Sequence, residues 1–257
     1  MVLMVTNDDG LTDGLRLLAE AAKELDEDFY AITPSQQQSA VAKGVTLHRI
    51  LRLRKAVEES LPIYELNGTP ADCVTFGVFS GEFRKPDMVL SGVNISDNLS
   101  LHSFFSSGTI GACIEAAFYK IPAIAFSFEL HGEERERYNY CIWEKRAALK
   151  EKIGWIAGKL KGKIPDYTVV NVNFPADFEN SQVVFPRPAL VRYVTKIEKR
   201  VNPNGHPYYW QYGTDRECER GSDVYEFYVN KSITITPISI FGVVDEKALA
   251  RIKAVFQ

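Results

Sequence analysis

A mostly parallel, doubly wound α/β sheet followed by a β-rich carboxy-terminal part is the fold class that this sequence predicts. Three observations point to it. Short apolar, β-branched runs alternate with segments whose apolar residues recur at helical spacing, the pattern of a parallel sheet wrapped by helices. Each early run is stopped sharply by a polar turn or a proline, which places loops at the strand ends. Beyond about residue 185 the alternation gives way to β-rich pieces broken by Pro186, Pro188, Pro203 and Pro207. With 257 residues, 46% of them apolar, the chain can bury a substantial core as one large domain or one domain with an appendage. Residues 1–185 are read as the α/β domain and 186–257 as a β-rich arm with a closing helix.

The first strand is Val2 to Thr6, stopped by Asn7-Asp8-Asp9-Gly10. Leu11, Leu15, Leu18, Ala22 and Leu25 then give the first helix its apolar stripe. Phe29 to Thr33 is a second strand ended by Pro34, and a polar segment, Ser35 to Gly44, follows it. Val45 to Leu53 and Ile63 to Leu66 predict further strands at a sheet edge. Asn67-Gly68-Thr69-Pro70 is a turn in which Thr69 caps, and Pro70 opens, a helix through Ala71 to Phe79.

Met88 to Ser91 predicts a short buried strand, followed by a long polar loop from Gly92 to Thr109. Ile110, Cys113, Ile114 and Ala117 mark the helix after it. Ile121 to Phe128 is a strand, Tyr140 to Leu160 a long amphipathic helix with Cys141, Ala148, Trp155 and Ile156 on its apolar side, and Thr168 to Phe174 another strand. In the last part Asn204-Gly205 suits a hairpin, Asp223 to Ile235 reads as two strands about Asn230-Lys231, and Asp245 to Phe256 as a closing helix.

Composition excludes several functions. Lys plus Arg total 30 against 33 for Asp plus Glu, a formal charge of −3, and no basic run offers a footprint for DNA or RNA. Cys73, Cys113, Cys141 and Cys218 are irregularly spaced, without a Cys-x-x-Cys pair, and read as reduced core residues. Five apolar residues before the first polar turn are too few for a signal peptide or membrane span, so a cytoplasmic location is expected. No Gly-x-Ser-x-Gly elbow and no Gly-Lys-Ser phosphate loop occur.

Two stretches carry chemistry. Asp8 and Asp9 stand at the carboxyl end of the first strand, where open α/β sheets bind ligands. Neighbouring carboxylates repel, and a hard divalent cation such as Mg²⁺ or Mn²⁺ relieves them. Ordinary turn chemistry, with Thr12 or Asp13 capping the helix, accounts for the same residues. Ser39 lies beyond the second strand, as a candidate ligand or as a hydroxyl bonded to nearby backbone. The long loop from Gly92 exceeds what a plain strand-to-helix connection needs. In it Asn94 offers a neutral carbonyl ligand and Asn98 an amide donor. Ser106-Ser107-Gly108-Thr109 supplies hydroxyls and N–H groups at a helix amino terminus, a cradle for phosphate oxygens. His102 is read either as a proton carrier or as exposed loop polarity. Tyr208, Tyr209, Trp210 and Tyr212, close to the hairpin turn, could stack a base or pack on a partner subunit, and packing suits exposed aromatics better.

Taken together, VTNDDG, the QQQSA loop, NGTPADCV, LSGVNISDN, SSGTIGA and VNVNFP resemble the SurE family of survival-protein nucleotidases. The likeness runs from the first strand to about Pro175, and TDREC with SITITPI extends it. It implies a Rossmann-like catalytic domain, one divalent metal ion per subunit, and hydrolysis of nucleoside monophosphates at the 5′ or 3′ position by an acid-type phosphatase. It also implies a homodimer or tetramer in which the carboxy-terminal hairpin arm reaches a neighbour. Carried over by position, the metal ligands are Asp8, Asp9, Ser39 and Asn94, with Asp8 and Asp9 catalytic. Asn98, Ser106, Ser107, Gly108 and Thr109 surround the phosphate. Ala40 stands where the family often has glycine, and Lys43 with Gly44 alters a loop near the nucleoside.

The chemistry so implied is attack by a metal-activated water, with Asp9 orienting or deprotonating it. Adjacent aspartates disfavour a haloacid dehalogenase-like phosphatase, which separates them by one residue. A two-component receiver needs an aspartate at the end of its third strand, and Ile50 to Val57 has none. A metal-dependent nucleotide sensor without turnover uses the same ligands and is the alternative.

Overall fold

In the computed structural model the described residues are 1–25, 28–56, 60–130, 138–215 and 218–240. Nine strands form the main sheet: β1 (Leu3–Thr6), β2 (Phe29–Pro34), β3 (Leu53–Lys55), β4 (Ile63–Leu66), β5 (Met88–Ile95), β6 (Ala123–Phe128), β7 (Thr168–Phe174), β8 (Val183–Val184) and the last strand, Ile233–Ser239. Between β8 and that last strand, β9 (Tyr193–Val201) and β10 (Pro207–Asp215) make a separate two-stranded antiparallel ribbon, so Ile233–Ser239 is β11. The sheet order is β3-β4-β2-β1-β5-β6-β7-β11-β8. β4, β2, β1, β5, β6 and β7 run parallel, whereas β3 is antiparallel to β4 and β11 to β7, and β8 runs parallel to β11. The predicted Rossmann-like, mostly parallel sheet with a carboxy-terminal hairpin is therefore the fold observed.

The helices are α1 (Asp13–Leu25), α2 (Pro70–Phe79), α3 (Ser100–Ser106), α4 (Gly108–Phe118), α5 (Tyr138–Leu160) and α6 (Asp223–Tyr228). Buried residues of α1 and α5 pack with Leu3, Val5, Leu90 and Phe126 on one face of the sheet. Val74 of α2 and Ile110, Cys113 and Ala117 of α4 pack with Met4, Ile32 and Val89 on the other. Covered on both sides, β1 and β7 are buried throughout, and the two asparagines of β7, Asn171 and Asn173, are buried with hydrogen bonds to Asn98. None of the described helices is long and apolar enough to cross a membrane.

This topology fixes where a site can form. From β1 the chain steps to β2 and β4 on one side, then returns to β5 on the other, so the connections leave β1 and β5 in opposite directions. A crevice opens beyond the carboxyl ends of such a strand pair. Asp8 and Asp9 follow β1, and Asn94 lies near the end of β5.

Four expectations need correction. Of Val45 to Leu53 only the end is a strand, at Leu53–Lys55. Leu47 and Ile50 are exposed and find no packing face. The backbone there is held by side chains instead, Thr46 N–H donating to Asp72 Oδ1 (2.9 Å). Second, β5 runs on to Ile95, through a register shift between Ser91 and Asn94. At Gly92 φ is +129° and a Cβ would lie 2.3 Å from the Phe126 carbonyl oxygen, so the backbone bends where no other residue fits. Third, the long loop holds the short helix α3, whose amino end is tied down from far along the chain. Ser100 N–H donates to Asp223 Oδ2 (2.8 Å) and Leu101 N–H to the Ala189 carbonyl (2.8 Å).

Fourth, Asp223 to Ile235 is helix α6 followed by β11, not two strands. Ser222 caps α6 by accepting from Tyr225 N–H, and Asp223 and Glu226 favour its positive end. Thr69 caps α2 as expected, in a reciprocal capping box with Asp72. The closing helix expected at Asp245 to Phe256 lies outside the described residues.

The loop after β2 is pressed against α4 so closely that a Cβ at Gly111 would stand 2.1 Å from the Ala42 carbonyl oxygen. Gly111→Ala is therefore expected to cost about 3 kcal/mol through forced backbone displacement. Urea unfolding checks this, and an unchanged midpoint would contradict the close approach.

Candidate active site

A cleft of about 230 Å³ opens at the β1/β5 switch, lined by residues from four separate segments. Asp8 and Asp9 come from the turn after β1, and Gln37, Ser39 and Ala40 from the loop after β2. Asn94 to Asn98 form the end of β5 and its exit, and Ser103, Ser106 and Ser107 belong to α3 and its junction with α4. Seven of the nine residues singled out from the sequence line it: Asp8, Asp9, Ser39, Asn94, Asn98, Ser106 and Ser107. Gly108 and Thr109 sit behind them, against Asp8.

The turn after β1 is rigid. Asn7 is buried, accepts from Thr33 Oγ1 (2.5 Å) and donates to the Gly10 carbonyl (2.8 Å). Thr12 Oγ1 accepts from Leu15 N–H (3.4 Å), so the capping expected there coexists with the acidic pair. The Asp8 carbonyl accepts from Gln38 N–H (2.7 Å), tying the two strand-end loops together. Thr109 Oγ1 donates to Asp8 Oδ1 (2.5 Å). A Cβ at Gly108 would meet Asp8 Cβ at 2.8 Å, so only glycine lets α4 begin this close to the acid.

Burial, and then the charge of Asp9, push the Asp8 carboxyl up from 3.8 to about 6, against the lowering hydrogen bonds from Thr109. Asp9 is half-buried, and Gln37 Nε2 bridges its Oδ1 (3.2 Å) to Ser39 Oγ (3.0 Å). Asn94 Nδ2 donates to the Ser96 carbonyl (2.8 Å).

Asn98 is fixed from three sides. Its N–H donates to Asn173 Oδ1 (2.8 Å), its carbonyl accepts from Asn171 Nδ2 (2.8 Å), and its Nδ2 donates to Ser127 Oγ (2.9 Å). One amide hydrogen remains for a ligand. Ser107 Oγ caps α4 by accepting from Ile110 N–H (3.2 Å), which uses a lone pair and leaves its hydroxyl hydrogen. Ser106 Oγ is spent on the His102 carbonyl (3.0 Å). His102 is exposed on α3 and outside the cleft lining.

Gln37 and Asp97 line the cleft but carried no signal of their own in the sequence. Gln37 is one of three consecutive glutamines in a polar loop. Asp97 is recognisable only through partners some 95 and 131 residues away.

Among the described residues no group of three or more His, Cys, Asp or Glu could hold a metal. A cation here would be met by two carboxylates with neutral hydroxyl and amide oxygens. That donor set is hard, and Asp8 is a buried carboxylate raised by burial and by the charge of Asp9 beside it, so the residues fit a divalent ion such as Mg²⁺ or Mn²⁺.

Fold and cleft together define an α/β protein with an oxygen-rich ligand site at a topological switch of its sheet. Residues 3–200 match the family described as Survival protein SurE, to which this chain belongs. It is 40% identical to the 5'-nucleotidase SurE of Thermofilum pendens, over 94% of this chain and 92% of that protein. The 5'-nucleotidase SurE of Hyperthermus butylicus is 39% identical, over 93% of this chain and 84% of the relative. The crystal structure of the SurE protein from Aquifex aeolicus has the same fold, with a TM-score of 0.81 at 28% identity over 100% of both chains.

The raised Asp8 carboxyl makes a prediction for the metal-free protein. Because its folded value lies above its unfolded one, the cost of ionising it is absent below about 3.8, grows between 3.8 and 6, and is full above about 6. In the presence of a chelator Asp8→Asn should therefore raise stability by roughly 3 kcal/mol at neutral pH, an advantage that shrinks as the pH falls toward 4. Paired urea titrations test this, and a variant less stable than its parent at neutral pH would contradict the assignment of strain to this carboxylate.

Proposed function

We propose that this chain is a metal-dependent nucleotidase that releases phosphate from nucleoside monophosphates. The observation that carries this reading is the convergence of Asp8, Asp9, Ser39, Asn94, Asn98 and Ser107 on one small cleft at the strand ends. The activity for which the relatives are named, 5'-nucleotidase, supports the same reaction for this chain.

Asp8, Asp9, Ser39 and Asn94 would hold one Mg²⁺ or Mn²⁺. Such an ion, when bound, draws charge from phosphoryl oxygens and acidifies a water. The protein's own groups do the rest. Asp8 is held in one rotamer by Thr109 and by the backbone of Gly108, so its position is set before ligand arrives. Asp9, at the open side of the pair, accepts the proton of the attacking water at a carboxylate oxygen. The free amide hydrogen of Asn98 and the hydroxyl hydrogen of Ser107 donate to phosphoryl oxygens, and the positive end of α4 lies behind them. Thr109 serves Asp8 in place of the phosphate contact expected for it.

The hairpin supports a second part of the proposal, assembly with another copy of this chain as a homodimer or tetramer. Val194, Ile197, Val201, Tyr209 and Trp210 are all exposed on a ribbon that pairs with no other strand among the described residues. Isolated ribbons are marginal in water, and an apolar surface of this extent marks an interface. Replacing Tyr209 and Trp210 together by aspartate is expected to lower the sedimenting mass to that of a smaller species, while an unchanged mass would place the interface elsewhere.

The reaction is tested by phosphate release from AMP, GMP and CMP with Mn²⁺ or Mg²⁺ present and after chelation. Turnover should require the ion and fall at least about 100-fold in Asp8→Asn, with the fold intact by circular dichroism. Nucleotide binding without phosphate release would make the chain a sensor, and turnover unaffected by chelation would remove the metal from the reading.

A further inference from the structure

We propose that Arg192 is a positioning residue that sets the charge of the cleft: its guanidinium, delivered from the root of the hairpin, neutralises Asp97 and so admits a phosphate dianion. The inference rests on the reading of the cleft as a phosphate site, and concerns a residue outside its lining.

The cleft has a charge problem. Three acids line it, Asp8, Asp9 and Asp97, and among the described residues no Lys or Arg does. A divalent cation offsets the first two. Asp97 would then present an unbalanced negative charge beside Asn98, where the phosphoryl group is to bind. Its side chain is 2% exposed, so solvent screens it little.

Arg192 answers that charge from behind. It forms an ion pair with Asp97 Oδ2, and its own side chain is 8% exposed. Tyr228 Oη lies 2.8 Å from the same oxygen and closer still to Glu129 Oε1, so its one hydrogen is shared between the two carboxylates, and Leu99 N–H donates to Asp97 Oδ1 (3.2 Å). Glu129 Oε1 lies 3.9 Å from the other guanidinium nitrogen. The guanidinium carbon is 4.3 Å from the Tyr193 ring centroid and 4.2 Å from that of Tyr228. Stacked between two rings and bonded at its edge, the side chain is locked in place. It acts on substrate through Asp97 and is no catalytic residue. Because Tyr193 opens β9, the same contact anchors the hairpin to the exit of β5.

A purely structural tie makes a different prediction from a charge-setting one. Removing the guanidinium while keeping bulk adds one net negative charge to the cleft. A dianion should then bind more weakly and a cation as tightly or more so, opposite signs that loosening of the fold cannot produce. The test is calorimetric titration of inorganic phosphate into Mn²⁺-loaded protein, and of Mn²⁺ into metal-free protein, for Arg192→Met, Asp97→Asn and the double variant. Neither measurement needs turnover, so a failure of the nucleotidase reading is seen separately, as wild-type protein that binds phosphate and Mn²⁺ but does not hydrolyse AMP.

The expected result for Arg192→Met is a phosphate affinity lowered about tenfold with Mn²⁺ affinity unchanged or raised, and recovery of phosphate affinity to within about threefold in the double variant. Should Arg192→Met not fold, Asp97→Asn alone decides: phosphate should bind about threefold more tightly than to wild type. Equal loss of both ligands in Arg192→Met, no recovery in the double variant, or phosphate affinity in Asp97→Asn at or below wild type would overturn the proposal.

Discussion

The close approach of α4 to the end of β1 is the constraint on which the rest of this structure depends. Gly108 and Thr109 bring helix backbone and a hydroxyl onto Asp8, burying a carboxylate beside a second one. A buried acid pair opposes folding unless something positive compensates it. The protein accepts that cost at one point and surrounds it with fixed contacts. The consequence is a site whose oxygen atoms are already in place, with little reorganisation left for binding.

The loops that complete the cleft are held from outside it. The loop carrying Gln37 and Ser39 is clamped by α2 and α4: Thr69 Oγ1 donates to the Gly44 carbonyl (2.6 Å), Asp72 accepts from Thr46 N–H, and Lys43 pairs with the buried Glu115. The exit of β5 is clamped from the carboxy-terminal part, by Asp223 on the amino end of α3 and by Arg192 on Asp97. So Thr69, Asp72, Arg192 and Asp223 hold the loops of the cleft from outside its lining. Strand β11, though late in the chain, pairs with β7 in the main sheet and fastens that segment to the core.

Much of this was legible in the sequence. β1 and β2 are mainly apolar, β-branched runs, the signature of strands buried on both faces, and Thr69-Pro70 announces α2 through a local cap. The acidic pair, Ser39, Asn94 and Asn98 could be named because they fall at strand ends in a recognisable order. What could not be read depends on distant partners. Helix α3 is too short to be set by its own periodicity and takes its amino-terminal bonds from Asp223, 123 residues on. The extension of β5 past Gly92 is decided by the neighbouring strand, and Val45 to Ile50 has strand-forming residues but no sheet face to cover. Gln37 and Asp97 acquire meaning only from what stands opposite them.

One divalent ion held at the end of β1 by oxygens from three separate loops is what the proposed reaction requires. Manganese binding followed by electron paramagnetic resonance measures this most directly. One ion per chain, with a spectrum that broadens when inorganic phosphate is added and vanishes as a bound species in Asp8→Asn, is the predicted result. Binding of equal strength and number in Asp8→Asn, or no bound manganese in the parent protein, would contradict it.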